Sequence, residues 1–409
     1  MLRVLICGSI NADWRREVEP YLIRDRAEYD QGLKEGTLTK ESIRLPRVYP
    51  TFAEREKDVI RALNQINPQV IISLIQRPKP LLLMSHKDRL KWYHFEHFPR
   101  HEQLKITIYE VYLNHALFPN PKERGQPLVS VYTPTYNSSA CLAKAYKSLS
   151  TQTYTNWEWV IIDDGSTDGT PKMVSAWADH DIRIWFFRPM CGNLCNIGRM
   201  KHYATGLCEG KYLVELDHDD MLTSNALSDV VDAFEADADL GFVYSNFAEF
   251  LEDGRSNYYP DWMDRGRYRK TEYEGHVFLG ALAYDVYGEV VGRGPVIKDM
   301  TVCPNHVRAF RRTELMKVGG YNPRLVMGDD YDLMIRMFCY SKIRHLSKLL
   351  YLYRYENNTW AHYNEFARFI FPVIAQRWEK EIDRRIEELK HNGLWLTEPQ
   401  GLPGQDPEF

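Results

Sequence analysis

The sequence predicts an α/β protein with a doubly wound, mainly parallel sheet, preceded by a small α/β accessory domain and followed by a C-terminal helix. Between residues 128 and 245, apolar runs alternate with segments of helical periodicity. Successive runs are separated by about the 30 residues of a βαβ unit, which is typical of a parallel sheet. The chain of 409 residues is longer than one ordinary domain, which leaves room for an accessory unit.

The first 120 residues have the pattern of a small accessory domain. Leu2–Cys7 and Gln69–Leu74 have the apolar character of buried strands, and Phe52–Ile66 between them has helical periodicity. The stretch Arg24–Pro50 is polar and is expected to be irregular. We therefore predict an incomplete β-α-β unit over residues 1–120, with no role that the sequence identifies.

The central region, residues 127–363, follows a polar linker and carries the regular alternation. The predicted strands are Leu128–Thr133, Trp157–Ile162, Ile182–Phe187, Lys211–Leu216 and Gly241–Ser245. The predicted helices between them are Ala140–Ser150, Pro171–Ala178, Arg199–Cys208 and Ser224–Glu235. Thr170 followed by Pro171 is typical of a helix start.

The end of the chain is predicted to be a helix followed by a tail. An amphipathic helix is expected within residues 364–396, over Glu365–His391, and Pro372 should kink or split it. Its polar face mixes both charges, which favours packing on the domain or a homodimer over membrane binding. Residues 397–409 are rich in Pro and Gly and are expected to be disordered.

Composition excludes several classes of protein. The 52 Lys and Arg nearly balance the 56 Asp and Glu, which argues against a dedicated nucleic-acid binder. No apolar run approaches the length of about 18 residues that spans a bilayer, so no transmembrane segment is predicted. The seven cysteines are odd in number and lack framework spacing, which favours a cytoplasmic protein.

Charge is distributed unevenly along the chain. Residues 1–125 contain 21 Lys and Arg against 16 Asp and Glu, although the formal net charge of the whole chain is −4. We favour a solvated surface for this basic segment. The alternative is a basic face that makes peripheral contact with the inner face of a membrane.

Polar loops follow four of the predicted strands, at the edge where parallel sheets bind ligands. The loops are residues 134–137, 163–166, 188–198 and 217–220, and two of them are acidic. This series exceeds what turn formation requires. The sequence therefore predicts a ligand site at the carboxyl ends of the strands.

The most informative of these loops is Asp217-His218-Asp219-Asp220, directly after an apolar strand. In an extended segment Asp217 and Asp219 point to the same side. Two carboxylates on one side suit Mg²⁺ or Mn²⁺ bound together with substrate phosphates. The alternative is that Asp219 or Asp220 caps the next helix while the others are solvated. The position at a strand end favours the metal site.

The second acidic loop contains Asp163 and Asp164, followed by Gly165. A carboxylate that leaves a strand here can accept a hydrogen bond from a nucleobase N–H or a ribose hydroxyl. The alternative is a glycine turn whose Asp side chains accept from nearby backbone N–H groups. The absence of Gly-x-Gly-x-x-Gly and of a P-loop motif argues against a dinucleotide cofactor and a standard P-loop site.

The chain resembles the family 2 glycosyltransferases, which have the GT-A fold. The motifs that carry the resemblance are Val131–Asn137, Gln152–Tyr154, Val160–Thr170, Asn196–Gly198, Gly210–Asp220, Arg308–Arg312, Gly319–Tyr321 and Met327–Leu333. The resemblance extends to about Tyr355 and does not include residues 1–120. It implies inverting transfer of a sugar from a nucleotide-diphosphate donor, with a UDP-sugar favoured, to a hydroxyl of a glycan, glycolipid or related acceptor.

The resemblance also implies roles for individual residues. Asp330 takes the position of the general base, and Asp329 stands where the family usually has Glu, with its carboxylate kept for positioning. The family often has a His two residues after the Arg at 354, where this chain has Glu356. The next His downstream, His362, is therefore a weaker candidate metal ligand beside Asp217 and Asp219, with an ordinary loop histidine as the alternative.

Two further groups of candidates complete the predicted site. The nucleotide-sugar side comprises Pro134, Thr135, Tyr136, Asp163, Asp164, Lys201 and Asp217. For Lys201, the alternative is a solvated lysine on a helix face. On the acceptor side, residues 255–290 contain eight aromatic residues. Stacking on a sugar or packing in the core would both explain this richness. The acceptor-side candidates are Trp262, His306 and Arg308.

Two other functions are alternatives to a glycosyltransferase. A nucleotidyltransferase also combines a sheet, a metal and acidic loops, but the loop 134–137 lacks the glycine-rich, basic character that a triphosphate needs. A non-catalytic module that binds nucleotide sugars or glycans is the other alternative. The intact acidic loop argues against it.

Overall fold

The computed structural model describes residues 126–181, 183–188, 196–355 and 369–400, together with the backbone of four strands before residue 95. The chain divides into two compact units. One contains residues 1–124 and 174–185, and the other contains residues 125–173 and 186–409.

The first unit contains a parallel sheet of four strands. These strands are β1 (Arg3–Cys7), β2 (Arg47–Thr51), β3 (Val70–Ser73) and β4 (Lys91–His94). They lie in the order β2-β1-β3-β4, and every neighbouring pair is parallel. The two strands predicted near residues 2–7 and 69–74 are confirmed.

The prediction of irregular structure over Arg24–Pro50 was wrong for the last residues of that segment, which form a strand. Strand β2 begins at Arg47 and pairs with β1 along its whole length. Val48 and Tyr49 supply the β-branched and aromatic side chains that strands favour, but the three residues between Pro46 and Pro50 were too few to produce a pattern. The predicted helix Phe52–Ile66 lies outside the described residues, and a separate domain over residues 1–120 remains a prediction.

The alternation predicted after residue 127 is confirmed. In chain order the elements are β5 (Val129–Thr135), α1 (Leu142–Ser150), β6 (Trp157–Asp163), α2 (Thr170–His180), β7 (Ile184–Phe187), α3 (Ile197–Leu207), β8 (Tyr212–Glu215), β9 (Met221–Leu222) and α4 (Ala226–Glu235). Strand β5 pairs in parallel with both β6 and β8. Every residue of β5 and β6 is buried, as expected for strands covered on both faces.

The second half of this unit adds strands of mixed direction. The elements are β10 (Leu240–Phe250), β11 (Ser256–Asn257), α5 (Pro260–Asp264), β12 (Tyr268–Tyr273), β13 (His276–Ala281), β14 (Glu289–Val290), β15 (Gly294–Pro295), β16 (Ala309–Arg311), α6 (Arg312–Lys317), α7 (Asp329–Tyr340) and β17 (Lys342–Arg354). The sheet runs β12-β13-β10-β16-β8-β5-β6. Strand β16 is antiparallel to both β8 and β10, whereas β17 is parallel to β10.

The predicted α/β class is therefore confirmed, with a sheet that is parallel around β5 and mixed beyond β8. Strand β10 extends five residues past the predicted end at Ser245. The reason is that Asn246 and Glu249 interrupt its apolar pattern although both are buried. The antiparallel insertion places Arg308, the residue before β16, directly beside the end of β8.

The C-terminal segment is helical and interrupted, as predicted, but the interruption lies elsewhere. Residues 369–377 are helical and contain Pro372, the chain turns at Trp378, and α8 (Glu379–His391) follows. The helix is therefore interrupted at Trp378, six residues after the break predicted at Pro372. Within α8 the buried side chains are those of Ile382, Ile386 and Leu389, which form one stripe of the helix.

The predicted disordered tail, residues 397–409, was wrong for its first residues. Gln400 forms a parallel bridge with Val290 and donates its backbone N–H to Glu289 O at 2.8 Å. Its side-chain amide exchanges two hydrogen bonds of 2.8 Å with the backbone of Asp285. Residues 401–409 lie outside the described part. None of the helices in the described part of the chain is long and apolar enough to cross a bilayer.

Candidate active site

The acidic loop leaves β8 at the edge where ligand binding was predicted. Leu216 N donates to Tyr132 O at 3.2 Å, so the loop starts in register with β5. Asp220 N donates to Asp217 O at 3.2 Å, which closes a turn before β9. Asp217 and Asp219 are partly exposed, whereas Asp220 is fully buried.

Asp220 fixes the loop to strand β17. The Tyr351 hydroxyl donates to its Oδ2 at 2.7 Å and Arg354 N donates to its Oδ1 at 2.8 Å. Tyr351 also accepts from Asp217 N at 3.2 Å. Burial, with the negative charges of Asp219 and Asp217, raises the pKa of Asp220 well above its usual range.

A metal ion could be held by Asp217, Asp220 and His306, whose ligand atoms lie within 4.8 Å of one another. The His306 ring is stacked on that of Tyr351, with 4.2 Å between centroids and an angle of 4°. Burial and the Arg308 cation lower the pKa of His306 well below its usual value, so its imidazole is neutral, the form that binds metals. Two carboxylates and one imidazole are an acceptable donor set for Mn²⁺ or Mg²⁺ with further ligands from substrate.

This cluster differs from the predicted ligand set. Asp217 belongs to both sets, Asp220 and His306 are additional candidates, and the ligands Asp219 and His362 stay predictions. His362 and Glu356 lie outside the described residues. His306, predicted on the acceptor side, is only 3% exposed. Its ring is stacked against those of Tyr351 and Tyr353, and its place on the acceptor side stays a prediction.

Behind the acidic loop, Glu215 is the centre of a buried ion cluster. Arg308 donates from Nε to its Oε2 at 2.9 Å and from Nη2 to its Oε1 at 2.7 Å, and Lys201 Nζ lies 2.6 Å from Oε1. The Tyr321 hydroxyl also donates to Glu215. Burial raises the pKa of this carboxyl, but Arg308 and Lys201 outweigh it and hold the pKa well below the usual range.

Lys201 was predicted to touch the nucleotide, and the structure places its ammonium among buried carboxylates. Its side chain is 4% exposed and its ammonium lies between Glu215 and Asp329, 3.7 Å from Asp329 Oδ2. Burial alone would lower the pKa of the Lys201 ammonium. Glu215 and Asp329 raise this pKa by more than burial lowers it, so the net shift is upward. The α3 helix that carries Lys201 approaches the loop before α7 so closely that a Cβ on Gly198 would lie 2.6 Å from Leu325 O.

Asp329 and Asp330 begin α7, where the helix dipole favours negative charge. Asp329 is buried, and burial raises its pKa to about 7 although Lys201 opposes the shift. The Asp330 side chain is 20% exposed, and its Oδ2 accepts from Arg308 Nη1 at 3.3 Å. Of the two predicted catalytic acids, Asp330 is therefore the one that solvent or a substrate can reach.

The third acid of this helix has a structural role. Asp332 Oδ2 accepts from Arg336 at 2.7 and 3.0 Å, and its Oδ1 accepts from the Trp378 indole at 3.0 Å. Trp378 lies at the turn before α8. Asp332 thus ties the helix that carries Asp330 to the C-terminal helices.

On the predicted nucleotide side, the loops after β5 and β6 are tied together. Asp164 N donates to Thr135 O at 2.9 Å, and Asn137 Oδ1 accepts from Thr167 N at 2.8 Å. Pro134, Thr135, Asp163 and Asp164 are buried, and Tyr136 is 40% exposed. A bound nucleoside would therefore meet the Tyr136 ring first.

Asp163 shows the turn interactions that were the alternative to ligand binding. Its Oδ1 accepts from Ser166 N at 3.0 Å and from the Ser166 hydroxyl. Its Oδ2 lies 3.1 Å from Nε of Arg188, whose side chain is 43% exposed. Arg188 was not singled out in the sequence, although it lies in the loop 188–198 that follows β7. It places an accessible cation on this side of the site.

Two of the residues predicted on the acceptor side are buried. Trp262 is 8% exposed and packs edge-to-face on Tyr284, with 5.0 Å between ring centroids. Its ring belongs to the core. Arg308 is 3% exposed and is committed to carboxylates. The exposed rings of that aromatic stretch include Tyr258, at 49%.

A glutamate at the end of an apolar strand was the signal that could have identified the buried cluster. Val214-Glu215-Leu216 places one charge between two apolar residues, and a buried charge needs an opposite charge beside it. The sequence did not indicate which cations would meet it. Only the fold brings Lys201 and Arg308 to the same carboxylate.

Comparison with known proteins identifies the domain. Residues 130–286 match the family model described as glycosyl transferase family 2. This range includes β5, β6, β8 and the acidic loop. The resemblance to the family 2 glycosyltransferases is therefore confirmed over this range.

Its relatives are longer enzymes. The Escherichia coli chondroitin synthase is 26% identical over 225 residues, which is 55% of this chain and 28% of that protein. The Pasteurella multocida hyaluronan synthase is 24% identical over 227 residues, which is 55% of this chain and 20% of that protein. The chain thus spans between a fifth and a third of the length of these relatives. Among solved structures, residues 1–349 of S. aureus TarS with UDP-GlcNAc give a TM-score of 0.43 at 18% identity, over 56% of this chain and 59% of that chain.

Proposed function

We propose that this chain is a metal-dependent, inverting glycosyltransferase. In this proposal it transfers a sugar from a nucleotide-diphosphate donor, with a UDP-sugar favoured, to a hydroxyl of a glycan or related acceptor. The observation that carries the proposal is the position of Arg308, which is 3.7 Å from Asp217 and 3.3 Å from Asp330. The acidic loop and the candidate base therefore face one site.

The donor side is the acidic loop. Asp217, Asp220 and His306 would hold Mn²⁺ or Mg²⁺, and Asp219 on the same loop remains a candidate ligand. A divalent cation there would neutralise the charge that develops on the leaving nucleoside diphosphate. Burial raises the pKa of Asp217 and of Asp220, so this loop carries carboxylates that lack enough positive charge around them. A bound cation would remove that cost.

The acceptor side is the start of α7. Asp330 is the partly exposed carboxylate, and it would take the proton of the acceptor hydroxyl as the oxygen attacks the anomeric carbon. A single displacement inverts the configuration at that carbon. Asp329 lies behind it and would hold the helix start through Lys201.

The nucleoside would bind at the loops after β5 and β6. We assign this end of the donor to Pro134, Thr135, Tyr136, Asp163 and Asp164. Pro134 and Thr135 are buried, whereas the Tyr136 ring is exposed and open for stacking. Arg188, which is accessible beside Asp163, adds a cation that could meet the diphosphate.

The acceptor and the cellular setting are also proposals. The names of the chondroitin and hyaluronan synthases support a glycan acceptor. In the described residues, the free and buried cysteines are Cys141, Cys208, Cys303 and Cys339, which supports a reducing, cytoplasmic setting. Peripheral membrane contact and a homodimer stay predictions from the sequence.

A binding panel tests this function. The full chain is titrated with UDP-GlcNAc, UDP-GalNAc, UDP-glucuronic acid and GDP-mannose, with and without MnCl₂, and its melting temperature is followed. We expect one UDP-sugar to raise the melting temperature only when Mn²⁺ is present. Stabilisation that is equal without the divalent ion would contradict metal dependence. Release of pyrophosphate instead of a nucleoside diphosphate would indicate a nucleotidyltransferase.

A further inference from the structure

Arg308 is held in place from both its main chain and its side chain. Its carbonyl oxygen accepts from Glu215 N at 3.0 Å, and its guanidinium makes two hydrogen bonds to the Glu215 carboxylate. The residue is 3% exposed. A planar guanidinium held in this bidentate way has a fixed orientation.

The remaining edge of the guanidinium faces the site. Nη1 donates to Asn305 O at 2.8 Å and to Asp330 Oδ2 at 3.3 Å. Nη2 lies 3.7 Å from Asp217 Oδ2. One rigid group therefore contacts a carboxylate of the acidic loop and a carboxylate at the start of α7.

The anchor of this group is itself fixed. Glu215 is 1% exposed and is also bound by Lys201 and by the Tyr321 hydroxyl, which lies 2.8 Å from the Tyr132 hydroxyl. Movement of Arg308 would break several buried hydrogen bonds at once, each costly to leave unmade. The guanidinium is therefore a stable reference point between two elements that are distant in sequence.

We infer that Arg308 is a positioning residue that sets the distance between Asp217 and Asp330. The inference rests on the proposed function, in which the first lies on the donor side and the second takes the acceptor proton. Two carboxylates facing one site repel each other, and the cation between them offsets that repulsion. A lysine at position 308 would keep the charge, but a single ammonium cannot meet Glu215 and both aspartates in the same geometry.

The test is a double-mutant cycle in the full chain. R308K, D330N and R308K/D330N are compared with the wild type by nucleoside diphosphate release from the UDP-sugar of the binding panel, with Mn²⁺. We expect R308K to lower kcat about 10- to 100-fold, because small misplacements of reacting groups have effects of this size. In the D330N background, with Mn²⁺ at a concentration that saturates each variant, the same change should lower kcat less than about threefold, because the base that Arg308 positions is already lost.

The second arm concerns Asp217. The Mn²⁺ concentration that gives half-maximal rate should rise about tenfold in R308K, as when a group that supports a metal ligand is removed. The matched control is R311K, on the adjoining strand, because Arg311 donates to the carbonyls of Leu240 and Phe234 at 2.8 and 2.9 Å. R311K should leave kcat and the Mn²⁺ dependence unchanged, whatever its melting temperature.

Each outcome decides the inference. Two outcomes would overturn the inference if the wild-type enzyme is active. The first is that R308K lowers kcat by the same factor in the D330N background as in the wild type. The second is that R311K lowers kcat as much as R308K does. A wild type that releases no nucleoside diphosphate overturns the proposed function and this inference with it. If R308K does not fold, R308Q takes its place in the same cycle, and the same non-additive result with D330N is expected.

Discussion

Asp329 and Asp330 are adjacent in sequence, yet only Asp330 opens to the site, while Asp329 is buried against Lys201 at 3.7 Å. The first turn of α7 turns their side chains in different directions. Burial raises the pKa of Asp329 to about 7. The two acids therefore differ in accessibility, as expected if one positions the helix and the other reacts.

The raised pKa of Asp329 predicts a pH effect on stability. Its folded-state pKa of about 7 exceeds the unfolded value of 3.8, so the folded state binds the extra proton and stability falls as the pH rises between these values. D329N mimics the protonated form and avoids this loss. We expect the melting temperature of D329N, relative to wild type, to improve from pH 5 to pH 8. A constant difference would contradict the assignment.

The buried cation cluster predicts unequal effects for two lysines. K201M leaves the Glu215 carboxylate with one cation fewer in the interior, which should cost about 3–5 kcal/mol of unfolding free energy. The control is K211M, because the Lys211–Glu235 pair has a similar distance of 2.6 Å but is about half exposed. Exposed pairs contribute at most about 1 kcal/mol. Denaturant unfolding compares the two, and equal losses would contradict burial as the cause.

The link between α7 and the C-terminal helices predicts a stability effect at Trp378. W378F removes the indole N–H that donates to Asp332 at 3.0 Å and keeps an aromatic ring packed against the hydrophobic core. Leaving part of a buried carboxylate unpaired should cost about 1–3 kcal/mol. Thermal and denaturant unfolding measure it. An unchanged unfolding free energy would show that the link does not stabilise this region.

The metal cluster predicts a specific role for His306. H306Q should weaken Mn²⁺ binding by at least about tenfold, since loss of even a supporting partner has that effect. The matched control is H345Q, because His345 is a partly buried histidine bonded to Asn246 at 2.9 Å, and burial lowers its pKa to about 4. Free Mn²⁺ is measured by electron paramagnetic resonance without a donor. Equal affinity in H306Q and H345Q would remove His306 from the ligand set.

Much of the fold could be predicted because each strand from β5 to β8 is a short apolar run between turn residues. The site edge followed from the same pattern, since the polar residues after each strand meet at one edge of a parallel sheet. The end of β10 could not be predicted in the same way. Asn246 and Glu249 are polar, and only pairing with neighbouring strands on both sides explains their burial.

The surroundings of the candidate site residues could not be predicted for a related reason. Residue type indicated that Lys201, Arg308 and Trp262 could meet a ligand, but burial depends on what the fold places around them. Lys201 and Arg308 share the Glu215 carboxylate, and the Trp262 ring fills space beside Tyr284. These pairings join elements far apart in the chain, and local pattern carries no information about them.

The central claim is that Asp330 is the base of a glycosyl transfer, and D330N tests it most directly. The amide keeps the size of the side chain and cannot accept the acceptor proton. Nucleoside diphosphate release and donor binding are measured for both proteins with the same UDP-sugar and Mn²⁺. We predict that D330N binds the donor as wild type does and releases product about 10²- to 10⁴-fold more slowly. Release at the wild-type rate would contradict the account.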